Sequence, residues 1–309
     1  MKTLNNEGKP LSIENILSLV NSNIDKSKLS QFGIWFRGQS DFKYSLTPSI
    51  FRQGIKYDAT EYDEMGMYRE FLLLRECQGK TNLSSFEWLT FMQHYNVPTR
   101  LLDWTESLFV ALYFSANNKE NDGALYIMDP ISLNSKSDPI SGRHIFDQLN
   151  THVIIRANLS RINELNKIVI LDEIIKIKER HNLEIKIEGN IIKKRDIKNE
   201  KEFNESPWWN LSIQNPIAVR PPQQNDRLFL QKGMFSLHGG KILNGKYIVE
   251  STLIEEILGD DLVKIKIPHE SKILIEEELL RFGINEAAIF PELEHQSNFI
   301  KKRNTIKRA

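Results

Sequence analysis

The chain has 309 residues, 40% of them hydrophobic, and 41 Lys and Arg balance 41 Asp and Glu for a net charge of zero. That length supports one large domain or two modest ones around a substantial core, and the neutral balance provides no global attraction to nucleic acid or to an anionic membrane. The single cysteine, Cys77, excludes an intramolecular disulfide and a thiolate-rich zinc site. The first residues show no charged-then-apolar leader and no apolar run reaches membrane-spanning length, so a cytoplasmic location without a membrane partner is expected.

Met1 to Pro10 are polar and expected to be frayed. Ser12 then caps a short helix to Val20 that lines up Ile13, Ile16, Leu17 and Val20 on one face. Gly33 to Gln39 reads as a strand, with Ile34 and Phe36 facing one side and Trp35 and Arg37 the other. Arg37 on an apolar face is costly alone, so a carboxylate, a carbonyl cluster or an anionic ligand is expected beside it. Gly38 allows a turn or a close backbone approach. A turn at Thr47 and Pro48 precedes a long helix from Thr60 to Gln78.

Ser85 to Tyr95 reads as a helix, with Asn96 as a left-handed C-cap and Pro98 forbidding continuation. Asp103, three residues before Glu106, resembles a capping box opening the run Ser107 to Ala116, which is apolar nearly all round and expected to be buried. The link QHYNVPTRLLDWTE between the two helices gathers His94, Tyr95, Arg100, Asp103 and Glu106. Polar groups between buried helices must be satisfied by one another or by a ligand. The link is therefore either a clasp, with Asp103 as cap and Arg100 as its ion-pair partner, or the floor of a site.

Asn121 to Gly123 turn into a strand from Ala124 to Met128, and the sequence from Ile131 to Asn210 then loses motif character. Within it, Asn158 to Arg180 has helical apolar recurrence, Leu183 to Ile192 alternates as paired strands, and Lys193 to Glu205 reads as a solvated charged segment. Order resumes at Trp208 and Trp209. Ile217 to Arg220 is extended, Arg227 to Gln231 and Met234 to His238 read as two short strands, and Leu262 to Ile267 as another. Ser271 opens a helix to Arg281 with Gly283 as its C-cap, and a last element begins at Phe290 and runs into the basic tail KKRNTIKRA.

The segments GIWFRGQSDFKYSLTPSIFR, WLTFMQHYNVPTRLLDWTESLFVALYFSAN and DGALYIMDP together resemble the FRG domain family, with its Phe-Arg-Gly motif at Phe36, Arg37 and Gly38. RLFLQKGMFSLHG, with Gln231, Gly233, Phe235 and His238, is similar to that family's C-terminal motif. The resemblance implies a bacterial protein of a kind associated with phage defence or toxin-like systems.

The expected fold is α+β, a mixed sheet with helices packed on it, forming one main body with an inserted middle segment. Its parts are an N-terminal helical segment (1–30), the core's first part (31–130), the insertion (131–206), and the core's C-terminal part with the basic tail (207–309). No phosphate-cradling glycine loop, zinc-protease helix or serine nucleophile elbow occurs, and the histidines are scattered singly, so no metal and no resident cofactor is expected. What remains suits a site of ADP-ribosyl-transferase type, in which an early-strand Arg holds NAD and a carboxylate stabilises the oxocarbenium-like transition state. Arg37, His94 and Glu106 are the catalytic candidates, and Tyr95, Arg100, Asp103, Gln231 and His238 the substrate-binding ones, with NAD or another nucleotide-like molecule as ligand. No Ser-Thr-Ser segment follows Arg37 and no Glu-x-Glu stands at a catalytic turn, which sets the chain apart from such enzymes. The alternative is a non-catalytic sensor that binds a phosphorylated ligand or a partner protein. A nucleic-acid-processing role is third, resting on aromatic residues near basic ones and on the basic tail.

Overall fold

A computed structural model describes residues 1–4, 10–24, 33–52, 62, 64–74, 85–137, 186–187, 190–191, 215–221, 225–243, 247–250 and 252–305. The expected helix over 158–180, the charged segment 193–205, Trp208, Trp209 and Cys77 lie outside the described residues.

In chain order the elements begin with β1 (Lys2–Leu4), α1 (Ile13–Asn23), β2 (Trp35–Gln39), α2 (Glu64–Leu72), α3 (Ser85–His94), β3 (Leu101–Thr105), α4 (Leu108–Ala116), β4 (Gly123–Met128) and α5 (Pro130–Ser137). There follow β5 (Lys186–Ile187), β6 (Asn190–Ile191), β7 (Ile217–Val219), α6 (Asp226–Leu230), β8 (Gly233–Leu237), β9 (Gly240–Leu243) and β10 (Tyr247–Glu250). The chain closes with α7 (Ile254–Leu258), β11 (Val263–Ile267), α8 (Lys272–Arg281), α9 (Glu286–Ile289) and α10 (Leu293–Arg303). Seven strands form one mixed sheet in the order β1-β11-β4-β2-β3-β8-β7. Among the described residues only the β1–β11 pairing is parallel, so residues 2–4, expected to be frayed, instead extend the sheet. The fold is α+β. Among the described residues, β5 and β6 pair with each other, outside that sheet.

Alternation along the strands divides the core into two faces. On one face, Phe36, Leu125, Ile127, Val263, Ile265 and Ile267 pack beneath α1, α4 and α8. Further along that face, Leu101, Phe235, Leu237, Ile217 and Val219 form a second cluster with Phe86 and Leu89 of α3. The opposite face presents Trp35, Tyr126, Leu102, Trp104, Met234 and Ala218 to Leu133 of α5 and to Ile254 and Leu258 of α7. The helices are anchored by named polar contacts. Ser12 and Asn15 form a reciprocal cap on α1, while Leu11 N–H donates to Ser271 Oγ (2.8 Å) and Ile13 N–H to Glu278 Oε2 (2.7 Å), tying α1 to α8. Ser271 thus stands at the helix start expected of it but uses its hydroxyl on Leu11, just ahead of α1.

Two glycines let α4 lie directly on the sheet. A Cβ on Gly38 would sit 1.8 Å from Ala111 O, and one on Gly123 would sit 2.4 Å from Ser115 O. Beneath the end of α4, the ammonium of the fully buried Lys272 donates to Ser40 O, Asn117 O and Asn118 O at 2.7–3.0 Å. It satisfies carbonyls that the helix end and the turn leave open.

Candidate functional site

α3 ends as its sequence predicts. Asn96 adopts φ 62°, and Asn96 N–H donates to Gln93 O and Val97 N–H to Met92 O, the paired bonds of a Schellman ending. Pro98 and Thr99 then carry the chain into an element that the sequence reading misses: Leu101–Thr105 is a strand in the middle of the sheet. Asp103 is therefore no helix cap. The N-cap of α4 is Ser107, whose hydroxyl accepts from Val110 N–H, and Ser107 N–H itself donates to Thr105 Oγ1. The capping-box spacing is accidental, because Asp103 is held in extended conformation by β8, opposite Phe235.

This placement makes Asp103 unusual. Its strand neighbours Leu101 and Leu102 are buried, yet its own side chain is 63% exposed on an interior strand. The two apolar clusters of this face stop on either side of it, one under α4 and the other under α3. A polar seam between the helices follows, floored by Asp103 and Thr105.

The carboxylate in the seam is oriented. Gln93 Nε2 donates to Asp103 Oδ1 at 2.6 Å, and Gln93 Oε1 accepts from Thr99 Oγ1 at 2.5 Å. Ser49 Oγ accepts from Thr99 N–H at 3.1 Å, extending the chain of polar contacts into the segment after β2. From the other side comes Arg37. β2 and β3 pair only at Phe36 and Thr105, and beyond that point the Arg37 guanidinium takes up the strand edge, donating to Asp103 O (2.5 Å) with its Nη1 3.6 Å from Asp103 Oδ2. The Arg37 side chain is only 12% exposed, and burial, outweighing the attraction of Asp103, lowers its pKa, with Arg52 adding a like charge. Its Nε has no hydrogen-bond partner among the described residues. Asp103's ion-pair partner is thus Arg37, where the clasp reading had Arg100. The Phe-Arg-Gly run has three separate physical tasks: Phe36 fills the core, Arg37 grips Asp103, and Gly38 admits α4.

The other candidates fall around this centre. Glu106 pairs with Arg220 at 3.1 Å. Thr105 Oγ1 donates to Gln231 O, and Gln231 Nε2 donates to Ile289 O. Gln231 ends α6, a helix capped by Asn225 where the sequence predicts a strand over Arg227 to Gln231. His94 is half-buried. Burial first, and then the charge of Arg227, lower its pKa, partly opposed by Glu292, so the ring is neutral at pH 7. Arg227 lies 4.7 Å above the Phe290 ring and 3.9 Å from Glu292 Oε1, which brings the Phe290–Glu292 run of the final element to the same end of the seam. Tyr95 is exposed, with its ring against His94 and Phe91. Arg100 and His238 are buried. His238 N–H donates to Arg100 O, and its Nε2 lies 3.0 Å from Ser236 Oγ, which accepts from Trp104 Nε1. Arg37, Asp103 and Gln93 are thus brought into contact, while Arg100 and His238 are buried where β3 begins and β8 ends. Gln93, Arg227, Arg220 and Glu292 were not among the sequence candidates. Gln93 opens the very link singled out, whereas nothing local marks the other three.

Elsewhere, Asp122, His269 and Glu270 bring potential metal-ligand atoms within 4.8 Å of one another. The Asp122 carboxylate is already engaged by Lys266 Nζ (2.8 Å) and His269 N–H (2.9 Å), and the Lys266 bond is the main cause of its pKa falling to about 2. An ion-pair cluster accounts for this group. Among the described residues no helix is long and apolar enough to cross a membrane.

Residues 33–124 match the model of the FRG domain family. No curated protein and no solved structure matches the chain. The matched span runs from just before β2 into β4 and includes Arg37, Gln93, His94, Asp103 and Glu106: the chain carries an FRG domain, and the Arg37–Asp103–Gln93 centre of the seam lies within it.

Proposed function

We propose that this FRG-domain protein binds a nucleotide-type small molecule in the Asp103 seam and breaks or transfers its ribosyl bond, with NAD as the substrate class. The setting we propose is a bacterial phage-defence or toxin-like effector, which is what the family resemblance implies. The observation that carries the chemical reading is the carboxylate of Asp103, exposed on an interior strand and fixed by Gln93 on one oxygen and Arg37 near the other. A preorganised anion stabilises positive charge that develops on a ribose as its leaving group departs, and it does so without reorganising at the moment of reaction. In this reading Arg37 is a positioning residue for Asp103. His94, neutral at pH 7, is the base that takes the proton of an attacking water or acceptor hydroxyl. Glu106 with Arg220, and Arg227 with Glu292, supply charges at one end of the seam for a phosphate or an amide.

A second reading is a sensor that binds without turnover. It is favoured by the degree to which the Asp103 carboxylate is already engaged by protein groups, as it would be in a clasp. Purified protein incubated with NAD separates the two. Release of nicotinamide, lost in Asp103→Asn, supports catalysis. Thermal stabilisation by NAD or ADP-ribose with no nicotinamide released supports the sensor. Absence of both turnover and stabilisation overturns both readings of the seam.

A further inference from the structure

A cavity of about 630 Å³ opens between α4, α8, α9 and α10, and it shares no lining residue with the seam. Small-molecule sites occupy about 300–1,000 Å³ and combine an apolar lining with a few convergent polar groups. This one has that build. Tyr113, Leu279, Ile284 and Phe299 give it an apolar interior, and charged side chains stand round it. Two of the cations are already neutralised: Lys119 pairs with Glu276 at 2.7 Å, and Lys302 with Glu286 at 3.0 Å. Arg303 is the lining cation with no ion-pair partner among the described residues. The Tyr113 hydroxyl, pushed up to about 12 by burial and then by Glu286 and Glu276, stays protonated and adds a donor without adding charge.

We propose that this cavity binds a small monoanion with an apolar body, of the medium-chain carboxylate class, its chain on the Tyr113–Phe299 lining and its head at Arg303. One surplus positive charge calls for one negative charge, and the paired carboxylates Glu276 and Glu286 disfavour a dianion. The wall over the cavity can accommodate such a chain. α10 has no buried residue and is held to α9 by polar contacts, His295 Nδ1 to Glu286 Oε1 (2.9 Å) and Gln296 Nε2 to Ala287 O (2.7 Å), so its seating is adjustable without disrupting the core. This site does not rest on the NAD reading.

The test is a titration of the full chain with decanoate, read by displacement of 1-anilinonaphthalene-8-sulfonate fluorescence and by calorimetry, alongside decan-1-ol. Decanoate should saturate one site per chain, and decan-1-ol, with the same chain and no charge, should bind about tenfold more weakly. Arg303→Glu, a change at an exposed residue, should weaken decanoate by about tenfold and leave the unfolding temperature unchanged. Absence of saturable decanoate binding overturns the site. Equal binding of decanoate and decan-1-ol, or an Arg303→Glu affinity within about twofold of the parent, overturns the assignment of its ligand class.

Discussion

Arg37→Met removes a cation that burial penalises, and opposing contributions decide what that does. The guanidinium's hydrogen bond to Asp103 O is charge-assisted and worth about 1.5–3 kcal/mol. Its ion pair with a carboxylate that is 63% exposed adds at most about 0.5 kcal/mol after solvent screening. Against these stands a buried Nε–H without a partner, which costs about 1–3 kcal/mol on its own. The balance is close to zero, so Arg37→Met should change stability by no more than about 1.5 kcal/mol, a shift of roughly 3–5 °C at most in a domain of this size. Activity should respond far more. With Arg37 gone, Asp103 keeps Gln93 on one oxygen but loses the grip on its backbone and on the other, and turnover should fall by about tenfold or more. Thermal unfolding and nicotinamide release are measured on the same preparation. A loss of more than about 4 kcal/mol would show that Arg37 is chiefly a structural brace. Unchanged turnover would show that its grip on Asp103 is irrelevant to the chemistry.

Gly38→Ala should destabilise severely, by about 3 kcal/mol or more, because its Cβ would overlap the Ala111 carbonyl on a helix that cannot retreat from β2 without opening the core; soluble yield and unfolding temperature report it. Lys272→Met strands three carbonyls but spares the burial of an ammonium, for a net loss of about 3 kcal/mol by denaturant unfolding. The His94 ring should titrate below its ordinary value of 6.5 in an NMR pH series, since burial favours its neutral form. The sign follows: a depressed folded pKa gives stability that is present above pH 6.5 and lost as pH falls through the folded value, so His94→Gln should flatten the urea midpoint's fall across that acid range.

Much of this architecture is legible in the chain because local signals and tertiary packing agree. Ser12 before α1, Asn96 after α3, and Gly283 after α8 each declare a helix end that the fold uses. The alternation of Phe36 against Trp35 and Arg37 survives because β2 separates two distinct cores. β3 conceals itself for the same physical reason that makes it central. Leu101 packs into one core and Leu102 and Trp104 into the other, so LLDWT shows no clear alternation, and five residues are too few to outweigh the capping spacing of Asp103 and Glu106. α6 is of the same length, and Asn225, its cap, is the local signal that marks it as a helix. The seam's composition was half legible. Asp103 and His94 stood out as polar residues between apolar runs, but the partners that orient Asp103 come from β2 and from the helix before it, and only the sheet's strand order joins them. The burial of Lys272 leaves no trace in the sequence, since the carbonyls it satisfies lie more than 150 residues away.

The central claim is that the oriented carboxylate of Asp103 does chemistry, and Asp103→Asn tests it most directly. Asn keeps the size and the acceptor facing Gln93 but removes the negative charge, and at an exposed position it should leave stability within about 0.5 kcal/mol of the parent. The measurement is nicotinamide released from NAD by parent and variant, with unfolding temperatures recorded beside it. The account predicts measurable release by the parent and a loss of about a hundredfold or more in a fully folded variant, the scale on which removing an electrostatic partner of the transition state acts. Release that survives Asp103→Asn unchanged would contradict it.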